Sequence, residues 1–184
     1  MIYRVVAGLA LACLTFGHIA AQSHQPYADI QARRIKALSD QQIDDLRNGR
    51  GMGLALAAEL NGYPGPLHVL ELGDRLGLTE DQKATVQRLF EAMKHESIPL
   101  GVKLVEQEQE LDRMFAARTV TPDTLELATS ALAATQGQLR ESHLKYHLST
   151  AAVLTQSQMQ QYAALRGYQN LHGEGHSGER HHRN

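Results

Sequence analysis

Apolar residues recur every three or four positions along the central part of the chain, which is the period of an amphipathic helix. From Glu80 to about Arg118 the recurring positions are Val86, Leu89, Phe90, Met93, Leu100, Leu104, Leu111, Met114 and Phe115. Pro99 falls inside this stretch and should kink the helix or divide it near Ser97. The pattern therefore predicts a long helix that is disturbed near its middle.

A second long helix is predicted from Pro122 to about Thr150. Its apolar side consists of Leu125, Ala128, Leu132, Leu139 and Tyr146. Thr121 is placed to cap this helix and Pro122 to be its first residue. Because the turn at residues 119–122 is short, the two long helices should pack antiparallel as a hairpin.

Shorter helices are expected on either side of the hairpin. The pattern indicates helices at 35–46, 54–60, 66–76 and 156–168, with Ser39 as a candidate N-cap inside the first. The glycine-rich residues 49–53 either bend one helix or separate two. A phosphate-binding loop is disfavoured there, because the glycine spacing is not that of a dinucleotide motif and no strand precedes it. No β pattern is present, so the fold class is all-α, with an elongated antiparallel hairpin and short flanking helices.

One short pattern occurs twice, before the first long helix and before the last short one. Its copies are Leu78, Thr79 and Gln82, and Leu154, Thr155 and Gln158. The threonine can accept a hydrogen bond from an N–H of the first helical turn, and the glutamine can reach back to the N–H of the threonine. The leucine stands where a hydrophobic staple would hold the entering chain. The role predicted for both copies is structural capping.

The first residues are predicted to be a cleaved export signal. Arg4 supplies a positive charge, residues 5–16 are apolar or small, and residues 19–21 resemble a signal-peptidase site. A lipoprotein attached at Cys13 is disfavoured, because the apolar run before it is very short. We therefore expect a periplasmic protein. Its predicted organisation is a signal peptide at 1–21, a flexible arm at 22–34, a helical domain at 35–169 and a disordered tail at 170–184.

Composition narrows the possible chemistry. Cys13 is the single cysteine, so after export the chain has no disulfide and no thiolate. Without Arg4, 17 basic residues (18 − 1) face 20 acidic ones, and this lack of basic excess argues against a nucleic-acid partner. The zinc-protease, nucleophile-elbow and P-loop motifs are missing, so we expect no enzymatic activity and no required cofactor.

Histidine is the residue type that can carry chemistry here. His143 and His147 are one helical turn apart on the second long helix, so both imidazoles can reach one Zn²⁺ or Ni²⁺ ion. Two surface histidines at this spacing are, however, more often a solvated face than a site. His95 lies at about their level on the partner helix, but the helical phase should point it outward.

A second group of histidines lies in the predicted tail, which has no apolar residue after Leu171 and should not pack. Its members are His172, His176, His181 and His182. A histidine-rich tract of this type binds Zn²⁺, Cu²⁺ or Ni²⁺ loosely and with a strong pH dependence, because the imidazoles must be neutral to act as ligands. The alternative is a polar tail with no binding role.

The two leucine–threonine boxes, the export signal and the helical hairpin between them resemble the Spy/CpxP family of periplasmic proteins. This superfamily also takes in zinc-resistance-associated proteins and periplasmic heavy-metal sensors. The resemblance covers roughly Ala37 to Tyr168 and implies an elongated helical hairpin, often a homodimer, that acts in envelope stress. The chain departs from the basic Spy-type chaperones in being slightly acidic, and from the sensor branch in showing a cleavable signal without a membrane anchor.

Three functions follow as hypotheses from the residues and the resemblance. The leading one is ATP-independent, chaperone-like binding of unfolded or misfolded periplasmic clients on a face lined by Met and Leu side chains. The second is binding or sensing of Zn, Ni or Cu ions by the histidines. The third is a regulator that docks on the periplasmic domain of a membrane sensor.

Overall fold

A computed structural model describes residues 27–168 of the chain, and within them the fold is all-α, as predicted. The residues fall into two compact units. The described part of the first, residues 27–32, contains one 3₁₀ turn, Ala28–Ile30. The helices of the second are α1 (Asp40–Arg47), α2 (Leu56–Glu59), α3 (Pro66–Glu71), α4 (Glu80–Ala116), α5 (Pro122–Val153) and α6 (Gln156–Leu165). None of the helices in residues 27–168 combines the length and the apolar character needed to cross a membrane.

The predicted hairpin is formed by α4 and α5, which pack together along their length. Thr121 caps α5 and Pro122 is its first residue, as predicted. Of the two outcomes predicted for Pro99, a kink or a division near Ser97, the division does not occur, since α4 is continuous from Glu80 to Ala116. The proline ring removes the hydrogen bond to the carbonyl of His95, and both residues are exposed. Water can therefore satisfy that carbonyl, so the missing hydrogen bond does not end the helix.

The two leucine–threonine boxes cap their helices as predicted. At the start of α4, Gln82 N donates to Thr79 Oγ1 at 3.2 Å and Thr79 N donates to Gln82 Oε1 at 3.1 Å. At the start of α6, the reciprocal bonds between Thr155 and Gln158 are 3.2 and 2.9 Å long. Ser39 and Gln42 form a further box at the start of α1.

The two boxes also bond to each other, which the sequence did not indicate. Gln82 Nε2 donates to Gln158 Oε1 at 2.9 Å, and Gln158 Nε2 donates to Gln82 Oε1 at 3.0 Å. Gln82 Nε2 also reaches the carbonyl of Val153, the last residue of α5, at 3.0 Å. This amide pair joins the start of α4 to the junction of α5 and α6.

Several predicted helices are shorter in the structure. The first begins at Asp40, not at residue 35, because Ser39 caps it and Ile35 turns inward to a bridge with Leu38. The helix predicted at 66–76 ends at Glu71, and turns lead from there to α4. The last helix ends at Leu165, after which Gly167 has a positive φ of 74° and reverses the chain.

Two apolar cores stabilise the second unit. One joins α1 to the middle of the hairpin through Ile35, Ile43, Leu46, Leu104, Val105, Leu132 and Leu139. The other joins α3 and α6 to the open end of the hairpin through Val69, Leu76, Leu78, Val86, Leu154 and Tyr162. The glycine-rich loop at residues 48–53 separates α1 from α2. Of the two alternatives that the sequence left open, it therefore separates two helices and does not bend one.

Candidate functional site

A cleft of about 540 Å³ opens between the loop at 48–53, the start of α3 and the two long helices. Most of its wall is apolar or backbone. The side chains able to carry chemistry come from separate parts of the sequence, and they are Glu59, His68, Met93, Lys94, His143 and His147. Arg166 and Tyr168, which follow α6, form part of the same wall.

His143 is a buried imidazole with an unused ring nitrogen. The residue is 2% exposed, and its Nε2 atom has no hydrogen-bond partner within residues 27–168. Burial, followed by the charge of the nearby His147, lowers the pKa of His143 below its usual value. This shift favours the neutral imidazole, which is the form that can ligate a metal ion.

His147, one turn further along α5, is 9% exposed and held in a fixed orientation. Its Nδ1 lies 2.7 Å from the carbonyl oxygen of Tyr63. Because a carbonyl oxygen only accepts, Nδ1 is the ring nitrogen that donates in this contact. Metal-binding histidines commonly hold their other ring N–H in this way.

A buried carboxylate, Glu59, supports this corner of the cleft. Its Oε1 accepts hydrogen bonds from the hydroxyls of Tyr162 at 2.5 Å and Tyr168 at 2.9 Å. Its Oε2 accepts one from the backbone N–H of Gly65 at 3.2 Å and lies 3.7 Å from Nδ1 of His147. Burial, and then the bond to Glu59, raise the pKa of Tyr162 far above its usual value. Sequence reasoning missed this network, because Glu59 stands more than 100 residues from both tyrosines.

The expectation of a solvated histidine face is wrong. Glycines from two other segments cover that face. Gly51 lies against His143, and Gly65 lies against His147. A Cβ built on Gly65 would stand 2.8 Å from the Cε1 and Nε2 atoms of His147. Glycine at this position therefore lets the chain close over the imidazole. The signal available in the sequence was the pair of glycine-rich segments, at 49–53 and 62–65, but nothing in them pointed to α5.

The structure brings together some of the predicted site residues and not others. His143 and His147 share the cleft with Met93 and His68. The Nδ1 atom of His68 lies 2.9 Å from Glu71 Oε2. His95 is exposed, as predicted, and lines a separate groove beside Lys145. His172, His176, His181 and His182 lie outside the described residues, as does the predicted signal peptide. Within residues 27–168, no cluster of three or more His, Cys, Asp or Glu side chains is arranged to hold a metal ion.

The described fold and site define the protein as an all-α hairpin with a cleft lined by the histidines of α5, His143 and His147. A comparison with protein families identifies the family of the chain. Residues 52–161, more than half of the chain, match the family model described as heavy-metal resistance. The chain therefore belongs to the heavy-metal resistance family. The matched range includes both leucine–threonine boxes and the three cleft histidines, His68, His143 and His147.

Membership in this family confirms the resemblance at a broad level, since the family is related to the Spy/CpxP-like periplasmic proteins. The narrower assignment to the Spy/CpxP family stays a prediction. Neither a search of curated proteins nor a search of solved structures found a match to this chain.

Proposed function

We propose that this protein binds a transition-metal ion, Zn²⁺, Ni²⁺ or Cu²⁺, in the periplasm, with His143 and His147 as its protein ligands. The observation that carries the proposal is the state of these two side chains. Both are buried one helical turn apart in the same cleft, and Nε2 of His143 has no hydrogen-bond partner within residues 27–168. A buried polar atom without a partner is unusual in a native protein, and a bound ligand would explain it.

The surroundings suit imidazole–metal chemistry. The Tyr63 carbonyl and Glu59 fix the ring of His147 from behind, as outer-shell groups do in metal sites. Imidazole binds Zn, Cu and Ni, and the thioether of Met93 in the same cleft is a soft donor that suits copper. Two histidines leave at least two positions of a four-coordinate ion open to other ligands.

The test is a calorimetric titration of Zn²⁺ and Ni²⁺ into the protein and into a variant that ends at Asn170. We expect both to bind at micromolar affinity or better, and the double variant His143→Ala, His147→Ala to lose that binding. His95→Ala is the matched control, because it removes an exposed histidine that lies outside the cleft. Binding that needs the tail and survives the double variant would contradict the proposal and assign the metal to the tail histidines.

A second candidate function, chaperone-like client binding, is favoured by exposed apolar side chains at the closed end of the hairpin, which is the end where the turn at residues 117–121 joins α4 to α5. Phe115 and Leu127 there are 54% and 72% exposed, and Leu125 lies beside them in sequence and is also exposed. Exposed apolar groups of this type mark interaction surfaces. Met93, a member of the Met- and Leu-lined face that the sequence suggested, is buried and offers no surface to a client.

The chaperone hypothesis is tested by aggregation of a denatured client at equal molarity. We expect the protein to slow aggregation, and the variant Phe115→Ser, Leu127→Ser to slow it less. The histidine double variant is the control that should act like the original protein. No effect of the original protein on any client would reject this function.

A further inference from the structure

The cleft is larger than a metal ion requires. Its volume of about 540 Å³ is in the range of pockets that hold small organic molecules, about 300–1,000 Å³. A single water occupies about 30 Å³ of the liquid. An ion bound to His143 and His147 with two or three waters would therefore leave most of the cleft without a specific occupant.

The cleft also lacks the anionic ligands that would complete a metal site. Its one carboxylate, Glu59, already accepts hydrogen bonds from two tyrosines and from Gly65. Within the described residues no third His, Cys, Asp or Glu joins the two histidines in a metal-binding arrangement. The remaining coordination positions must therefore be filled from outside this set of side chains.

Three basic side chains, Arg50, Lys94 and Arg166, line the cleft beside its one carboxylate. Arg50 is held by Asp44 at 2.7 Å and Asp45 at 2.6 Å, and Arg166 Nε lies 3.5 Å from Glu59. Lys94 differs from them, because its ammonium lies 5.8 Å from the centre of the Phe90 ring and pairs with no carboxylate in residues 27–168. A bare divalent cation is repelled by such a group, whereas an anionic ligand is attracted by it.

We propose that the cleft takes its metal ion as a complex with a small anionic chelator, of the class of citrate and other low-molecular-mass carboxylates. His143 and His147 supply two nitrogen ligands, the chelator supplies the oxygen ligands, and Lys94 binds a carboxylate of the chelator. This inference rests on the proposed metal-binding function. The chelator would fill the volume that a bare ion leaves empty and would pair with the positive charge of Lys94.

The test is equilibrium dialysis of the protein with Zn²⁺ and radiolabelled citrate, together and separately. We expect about one citrate retained for each zinc bound in the cleft when both are present, little citrate without zinc, and no citrate in the variant His143→Ala, His147→Ala. Lys94→Gln should weaken citrate retention about tenfold without weakening the binding of zinc alone, because it removes a positive charge that attracts the chelator and repels the bare ion. Lys103→Gln, which removes an exposed lysine of α4 outside the cleft, is the matched control and should change neither.

The other outcomes separate the two proposals. If citrate only competes for zinc and none is retained, the chelator inference is wrong and the metal-binding function stands. Citrate retained only by the variant that ends at Asn170 would overturn the inference for the full chain, because tail residues would then fill the open positions. Citrate retained equally without zinc would overturn it in favour of a plain anion site. If zinc is retained under no condition, the proposed function itself fails.

Discussion

Two glycines in the middle of the long helices have opposite surroundings. A Cβ on Gly101 of α4 would stand 2.1 Å from the carbonyl oxygen of Leu46, in backbone that cannot move aside without separating α1 from α4. A Cβ on Gly137 of α5 would meet nothing within 4 Å. The same residue type is therefore required at one position and is only a weak helix former at the other.

We predict opposite signs for the two alanine substitutions. Gly101→Ala should lower the free energy of unfolding by about 1–3 kcal/mol, as overpacking does. Gly137→Ala should raise it by about 0.5–1 kcal/mol, the usual gain of alanine over glycine inside a helix. Urea unfolding of both variants beside the original protein checks this. Equal effects at the two sites would contradict the close packing of α1 on α4.

The buried, neutral state of His143 predicts acid sensitivity. Its pKa is lowered in the folded protein, chiefly by burial, so the unfolded chain binds the proton more readily. The contribution of this group to stability is fully present above the ordinary histidine pKa of about 6.5 and is lost as the pH falls below it.

The measurement is the free energy of unfolding between pH 7.5 and 5, with a strong chelator present to exclude metal. We expect His143→Gln to reduce the loss of stability over this range, since glutamine takes up no proton. His95→Gln, at an exposed position on α4, should leave the loss unchanged. Identical slopes for both variants would argue that His143 titrates as it does in the unfolded chain.

At the scale of elements, the capping boxes were predictable one at a time but their pairing was not. A threonine followed three residues later by glutamine is a local pattern, and both copies cap their helices as the sequence predicted. The bond between Gln82 and Gln158 joins residues 76 apart, and it depends on where α3 and α6 place the two helix starts. Two of the helix ends that were wrong, at residues 35 and 76, are also positions where the path of the chain, and not its local pattern, decides where the helix stops.

A double-mutant cycle should detect this pairing. Gln82→Ala and Gln158→Ala each remove a cap bond and one side of the amide pair, so the losses should be less than additive, with a coupling energy of about 0.5–3 kcal/mol. Gln42→Ala is the matched control, because within the described residues its amide bonds only to Ser39. Combined with Gln158→Ala, it should give additive losses. Additivity in both cycles would contradict a bond between the boxes.

At the scale of the whole molecule, the hairpin extends beyond its two cores. Leu132 of α5 is buried in the first core. Phe115 and Leu127, which are nearer to the turn in sequence, are mostly exposed. The apolar pattern of α4 and α5 continues to the turn, but no other element of the described chain covers it. The closed end therefore contributes little to the stability of a single chain.

This predicts a sharp contrast between neighbouring substitutions. Phe115→Ser with Leu127→Ser should change the free energy of unfolding by no more than about 0.5 kcal/mol per site. Leu132→Ala should lower it by about 2–5 kcal/mol, as truncation of a buried leucine does. Thermal or urea unfolding at two protein concentrations distinguishes them. A large loss at the closed end that depends on concentration would instead show that a second copy covers it, in line with the predicted homodimer.

The sequence by itself determined the all-α class, the hairpin and the caps, because helix period, proline and capping chemistry act over a few residues. It also picked out His143 and His147 as a pair one turn apart. Only the tertiary structure decided that this pair is buried, since two glycine segments from other parts of the chain close over it. The same long-range packing places Glu59, its two tyrosines and Lys94 around the histidines. Such contacts leave no periodic signal in the sequence, because each joins residues that the chain path alone brings together.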